Sequence, residues 1–221
     1  MRNIVIYDFD GTVTTGTSQY MRCADLIAED LGGRDAEKFT EEIKDSFSGK
    51  IAFDGEDGWD LVDRISKKYS DQALFTKAFH KTRKEMLSQI SESVLSNSVI
   101  ELLEEIHPLC VTALASNSPR EYVNDYIEKF YLTKHFDYIR YGAHKPVGII
   151  DLGLFLMKET RYDDARILSI GDHYVNDVEP AVKMGWEGAY INPFNLDSRR
   201  ATVTGRTITD LYDWILSWCK T

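Results

Sequence analysis

The chain has 221 residues, 43% of them hydrophobic and 12% aromatic, enough to bury the core of one large domain or two small ones. Its formal charge of −10, from 26 basic and 36 acidic residues, repels nucleic acid and anionic membrane, and no Lys/Arg block breaks that pattern. The widely spaced Cys23, Cys110 and Cys219 form no CxxC pair, apolar runs are too short to span a bilayer, and no signal peptide is visible. The expectation is therefore a reducing, cytoplasmic setting.

The first apolar run, Ile4-Val5-Ile6-Tyr7, reads as a short buried strand that breaks at Gly11. Asp8 and Asp10 follow it, one residue apart, so an extended chain puts both carboxylates on one side. They sit at the carboxyl end of a core strand, where open α/β sheets bind ligands. Like charges that close repel unless a cation lies between them or they share a proton. Taken alone, Asp-x-Asp-Gly also reads as a turn with incidental acids.

From about Thr14 to Leu95 the periodicity is helical only. Tyr20, Cys23, Ala24, Ile27, Ala28 and Leu31 mark a first helix that Gly32-Gly33 stops. A second covers Ala36 to Phe47, and a turn-rich loop runs through Asp54-Gly55-Glu56-Asp57-Gly58. Trp59, Val62, Ile65 and Tyr69 mark a third, and Phe75, Ala78, Phe79, Thr82, Met86 and Ile90 a fourth.

Beyond Val99, helices alternate with short apolar runs, the pattern of a parallel sheet with crossover helices. Val99, Leu102, Leu103 and Ile106 line a helix that Pro108 ends, and a strand runs from Cys110 to Ala115 into Ser116-Asn117. Ser118 with Glu121 resembles a capping box, with Pro119 at the first helical position. Strands are expected at Tyr138–Tyr141, Ile167–Ile170 and Gly188–Ile191, and helices over Gly148–Glu159, Asp177–Met184 and Asp210–Trp218.

Four motifs now stand in order: Asp8-Phe9-Asp10-Gly11-Thr12, Ser116-Asn117, Lys145-Pro146 and Gly171-Asp172 with Asp177 shortly after, three of them closing strands. In this the chain resembles the haloacid dehalogenase-like phosphohydrolases from end to end. The resemblance implies a doubly wound, Rossmann-like parallel α/β core over residues 1–13 and 96–221, with a helical cap of the first type over residues 14–95. Ser116 to Lys145 is too short for a second cap.

It also implies roles. Asp8 is the nucleophile, since a carboxylate can attack phosphorus in line when donors and a metal spread the charge. Asp10 is the general acid for the leaving oxygen and then the base for water, and offers its carbonyl to the metal. Dehalogenase and phosphonatase branches lack an acid at this place, which puts the chain with phosphatases and mutases. Asp8, the Asp10 carbonyl and Asp172 form an all-oxygen set suited to Mg²⁺. The five histidines show no HxH or HxxxH spacing and are not read as zinc ligands. Asp177 either orients metal water or Lys145, or caps the next helix.

Ser116 and Asn117 hold phosphoryl oxygens, although Ser116 could equally cap its helix. Lys145 offsets the charge of nucleophile and phosphate. Thr12 fixes the turn, with its backbone amide toward phosphate. In the cap, Thr17, Tyr20, Arg22 and Lys50 could reach a substrate, although each reads more simply as packed or solvated.

The expected function is a Mg²⁺-dependent phosphomonoester hydrolase acting on a small soluble metabolite through an aspartyl-phosphate, as a monomer or small homo-oligomer without nucleic-acid or membrane partners. Two rivals remain: a phosphomutase, which shares every motif, and a non-enzymatic phospho-acceptor switch. The switch fits poorly, because its acceptor ends a central strand in sequence order and the inserted helices are foreign to it. The cap is expected to move as a lid about hinges at Thr14-Thr15-Gly16 and Ser91 to Asn97, which makes phosphoproteins and long nucleic acids poor substrates.

Overall fold

The computed structural model describes residues 3–89, 95–161, 164–194 and 199–221. Strand β1 (Ile4–Tyr7) is followed by helices α1 (Ser18–Leu31), α2 (Gly33–Phe47), α3 (Gly58–Ser66) and α4 (Gln72–Gln89). Then come α5 (Asn97–Ile106), β2 (Val111–Ala115), α6 (Arg120–Lys129), β3 (Tyr138–Arg140), α7 (Val147–Thr160) and β4 (Ile167–Gly171). The chain continues through α8 (Glu179–Lys183), β5 (Glu187–Ile191), β6 (Val203–Gly205) and α9 (Tyr212–Cys219). It divides into two compact units, residues 1–15 with 95–221, and residues 16–94.

In the first unit all strand pairings are parallel, in the order β3-β2-β1-β4-β5-β6. The doubly wound sheet expected from the alternating pattern is therefore present. β1 is central, paired to β2 on one side and β4 on the other, so the sheet's connections diverge at its carboxyl end. An open α/β sheet leaves its ligand crevice at such a point. β1, β2 and β4 are buried along their whole length, as strands covered on both faces must be. Ile4, Ile6, Val111, Ala113 and Ile167 pack with Ile149, Leu152 and Leu156 of α7 in one apolar cluster.

Several boundaries differ from expectation. The β6 strand was not anticipated, because a three-residue edge strand ending in Gly205 is too short to carry a period. The helix expected from Asp177 is a π turn over Tyr174–Val178 followed by α8. The helix expected from Asp210 opens as a 3₁₀ turn over Ile208–Leu211, capped by Thr207 and Asp210 reciprocally. Ile90 and residues 91–94, where a helix end and a hinge were expected, lie outside the described residues.

The second unit is helical. In α1 the buried Tyr20, Cys23, Ala24 and Ile27 recur at helical spacing, and Gly32, at φ 68°, ends it by donating its N–H to the Ala28 carbonyl. Asp57 caps α3 by accepting from the Asp60 N–H at 2.7 Å. The core is aromatic: Tyr20 and Phe79 each meet Trp59 edge to face, at 5.0 and 4.9 Å between ring centres. Among the described residues, no helix of the chain is long and apolar enough to cross a membrane.

Candidate active site

The turn after β1 sets the site. The Thr14 backbone N–H and hydroxyl both donate to the Phe9 carbonyl, at 2.9 and 3.2 Å, closing a loop that holds Asp8 at one end and Asp10 within it. Gly11 lies at φ +80°, and a Cβ there would come within 1.9 Å of Asp172 Oδ2. Only glycine lets the turn pass so close to the carboxylate that follows β4. Gly171 serves the same end beside Asp177, whose Cβ would lie 2.3 Å from a Cβ added there.

Asp8, Asp172 and Asp177 are all buried, and each offers a carboxylate oxygen within 4.8 Å of the others. Lys145 reaches into this cluster with a side chain only 4% exposed, donating to Asp8 Oδ1 at 2.5 Å and to Asp177 Oδ1 at 2.6 Å. Burial pushes the Asp8 carboxyl up to about 7, against the pull of Lys145, and Asp177 and Asp10 push it the same way. Burial also disfavours the Lys145 ammonium, but Asp177 and Asp8 override it and hold that group above its ordinary range. The lysine therefore stays charged, and the excess negative charge concentrates on the carboxylates. Oxygen donors with one cation already among them fit a hard divalent ion.

The π turn after β4 explains how Asp177 takes part. It widens the backbone so that the Asp177 side chain accepts from the His173 N–H at 3.2 Å and from Lys145. Both roles left open for Asp177 have a contact here: it accepts from Lys145 and also from the N–H of His173, which precedes the π turn, whereas α8 has no side-chain cap at Val178.

Asn117 Oδ1 accepts from the Lys145 backbone N–H at 2.7 Å, tying the lysine loop to the end of β2. The same two segments are joined by Ala143 N–H to the Ser116 carbonyl at 2.9 Å and Gly142 N–H to the Ser118 carbonyl at 3.0 Å. Ser116 is buried, and its hydroxyl oxygen accepts from the Ser118 N–H at 3.1 Å instead of capping α6. Thr12 is fully buried, and its hydroxyl has no partner among the described residues.

These placements gather the four motifs of the first unit at one sheet edge, and the sequence matches the haloacid dehalogenase-like hydrolase family over residues 5–191. The chain belongs to the haloacid dehalogenase-like (HAD) hydrolases. No curated protein sequence gave a significant match. Solved structures of the same fold include YfnB from Bacillus subtilis in a magnesium-bound form, at TM-score 0.66 and 16% identity, covering 97% of this chain and 98% of that one. A HAD phosphatase from Thermococcus onnurineus follows at TM-score 0.58 and 18% identity, covering 96% and 97%. The 2-haloacid dehalogenase from Pseudomonas syringae aligns at TM-score 0.57 and 17% identity, covering 99% and 100%.

One residue of this HAD site was misread in the sequence. The capping box of Ser118 and Glu121 is absent: Pro119 occupies the cap position and α6 begins at Arg120, which leaves Ser118 one residue outside. Its hydroxyl instead donates to Asp10 Oδ2 at 3.4 Å. No local pattern could have signalled this, since the partner lies 108 residues away.

The candidate substrate residues of the second unit have ordinary local roles. Tyr20 is buried in its core, Arg22 bonds Glu85 at 2.7 Å, and Lys50 bonds Asp45 at 2.7 Å on the surface. Thr17 precedes α1 and makes no side-chain cap.

Proposed function

We propose that this HAD hydrolase is a Mg²⁺-dependent phosphatase of small phosphorylated metabolites, working through an aspartyl-phosphate on Asp8, with the unit of residues 16–94 as its helical, first-type cap. The observation that carries the reading is Asp8 at the carboxyl end of the central strand, bonded by a buried lysine, with a second acid two residues on. By family resemblance, that second acid sets phosphatases and mutases apart from dehalogenases.

An Asp8 oxygen attacks phosphorus as the bond to the substrate oxygen breaks, and Asp10 gives that oxygen a proton. Water then attacks the phosphorus of the aspartyl-phosphate, passes its proton to Asp10, and regenerates the Asp8 carboxylate as phosphate leaves. Lys145 favours the ionised form of Asp8 against the effect of burial and offsets phosphoryl charge in both steps. Ser116 and Asn117 serve the phosphoryl oxygens. The Asp8 and Asp172 carboxylates, with the Asp10 carbonyl, would hold Mg²⁺, which supplies charge neutralisation and in-line orientation.

A screen of phosphorylated metabolites with phosphate release as readout is the direct test. Turnover of a small metabolite with no halide release from 2-haloacids is expected. Faster turnover of a folded phosphoprotein than of every metabolite would remove the small-substrate part. Activity should vanish in EDTA, return with Mg²⁺ and not return with Zn²⁺ alone. Mg²⁺ affinity should also rise as pH passes upward through about 7, because the proton held on buried Asp8 competes with the ion. Full activity in chelator would contradict this, as would pH-independent affinity by calorimetry.

A further inference from the structure

We propose that Ser118 is a positioning residue for Asp10, its hydroxyl fixing the carboxylate in the orientation from which protons are exchanged. The inference rests on the phosphatase reading above.

Asp10 is half-buried on a turn whose backbone is fixed by Thr14, through the paired donors to the Phe9 carbonyl and a bridge between Asp10 and Thr14. Two side-chain torsions set the plane of its carboxylate, and a donor at Oδ2 bears on both. Ser118 supplies that donor at 3.4 Å. Ser118 is itself held at both ends: its N–H donates to Ser116 Oγ at 3.1 Å and its carbonyl accepts from the Gly142 N–H at 3.0 Å. The ring of Pro119, at φ −59°, then stiffens the chain immediately after it.

The helix loses by this arrangement. Ser, Pro and Glu at positions 118, 119 and 121 carry the chemistry of a capped N-terminus, yet α6 starts with no side-chain cap and the serine hydroxyl faces an acid on the turn after β1. A local preference left unused where a second interaction takes the group is the mark of a functional site.

In the first half-reaction the Asp10 proton goes to the leaving oxygen as the P–O bond breaks, and in the second Asp10 receives one from water. The serine hydroxyl keeps its own proton throughout. Its contribution is therefore largest where proton transfer is needed. An alkoxide leaves poorly without a proton, whereas 4-nitrophenolate leaves without one.

The test compares ethyl phosphate with 4-nitrophenyl phosphate in single-turnover experiments on the whole protein. Ser118→Ala should slow transfer from ethyl phosphate about tenfold, with KM little changed, and leave the nitrophenolate burst rate within about twofold. Ser118→Thr, which keeps the hydroxyl, should restore the ethyl phosphate rate. Equal losses on both substrates, or no loss on either, would overturn the positioning role while normal wild-type turnover left the phosphatase reading standing. Absence of phosphate release by the wild type from both esters and from every metabolite screened would remove both.

Discussion

Asp8→Asn is expected to reduce phosphate release roughly 10⁴-fold or more, because it removes the carboxylate oxygens of the nucleophile that form the acyl phosphate. The isosteric amide keeps the shape of the site, so the fold should persist. The pH dependence of stability then separates a chemical role from a packing one. Buried wild-type Asp8 has a folded-state value raised to about 7, above that of an unfolded aspartate. Its contribution is thus fully present at low pH and is lost as pH rises through about 7. The Asn variant has no such proton to lose, so its melting temperature relative to wild type should improve from pH 6 to pH 8 in metal-free buffer. Borohydride reduction during turnover gives a direct chemical readout, converting an aspartyl-phosphate at position 8 to homoserine. Near-native turnover in the variant, freed of contaminating phosphatase, would exclude Asp8 as nucleophile.

The legible parts of this protein are those in which neighbouring residues decide the structure. Ile4-Val5-Ile6-Tyr7 is a continuous apolar run before two acids, and the resulting strand is central and buried on both faces. The stretch after Gly16 is helical because its apolar positions recur at 3.6-residue spacing. What the sequence hides lies in side chains that choose a distant partner. Ser118 reads locally as a cap and bonds Asp10 instead. Asn117 is expected at the phosphoryl oxygens, and its Oδ1 also accepts from the Lys145 backbone N–H, 28 positions on. For Asp177 the contact with Lys145 is among the expected roles, and what the sequence hides is the π turn that also brings its carboxylate to the His173 amide. Each of these depends on where β1, β2 and β4 bring their ends together, which periodicity does not encode. β6 is hidden for a simpler reason: three residues contain less than two full periods of alternation.

Lys145→Ala should be nearly as damaging, and by a different route. The ammonium sits 2.5 Å from Asp8 and 2.6 Å from Asp177, all three side chains under 10% exposed. Removing it leaves two buried carboxylates facing each other without a cation, a change that costs on the order of 3–5 kcal/mol when one partner of a buried pair is lost. Activity should fall by about two to three orders of magnitude, the range for loss of one preorganised charge donor. Asp8 also loses an influence that lowers its value, so its carboxyl moves further above about 7 and the nucleophile is more often protonated. The sign of the stability effect follows: protons relieve the repulsion, so the deficit against wild type should be small near pH 5.5 and widen toward pH 8. Two rescues separate this electrostatic account from a packing one. Asp177→Asn in the Lys145→Ala background removes one of the stranded charges and should recover part of the melting temperature without recovering activity. Lys145→Met fills the space without the charge and should recover neither the pH dependence nor the turnover. A Lys145→Met variant with wild-type stability at pH 8 would mean that the lysine serves the site as bulk and not as charge.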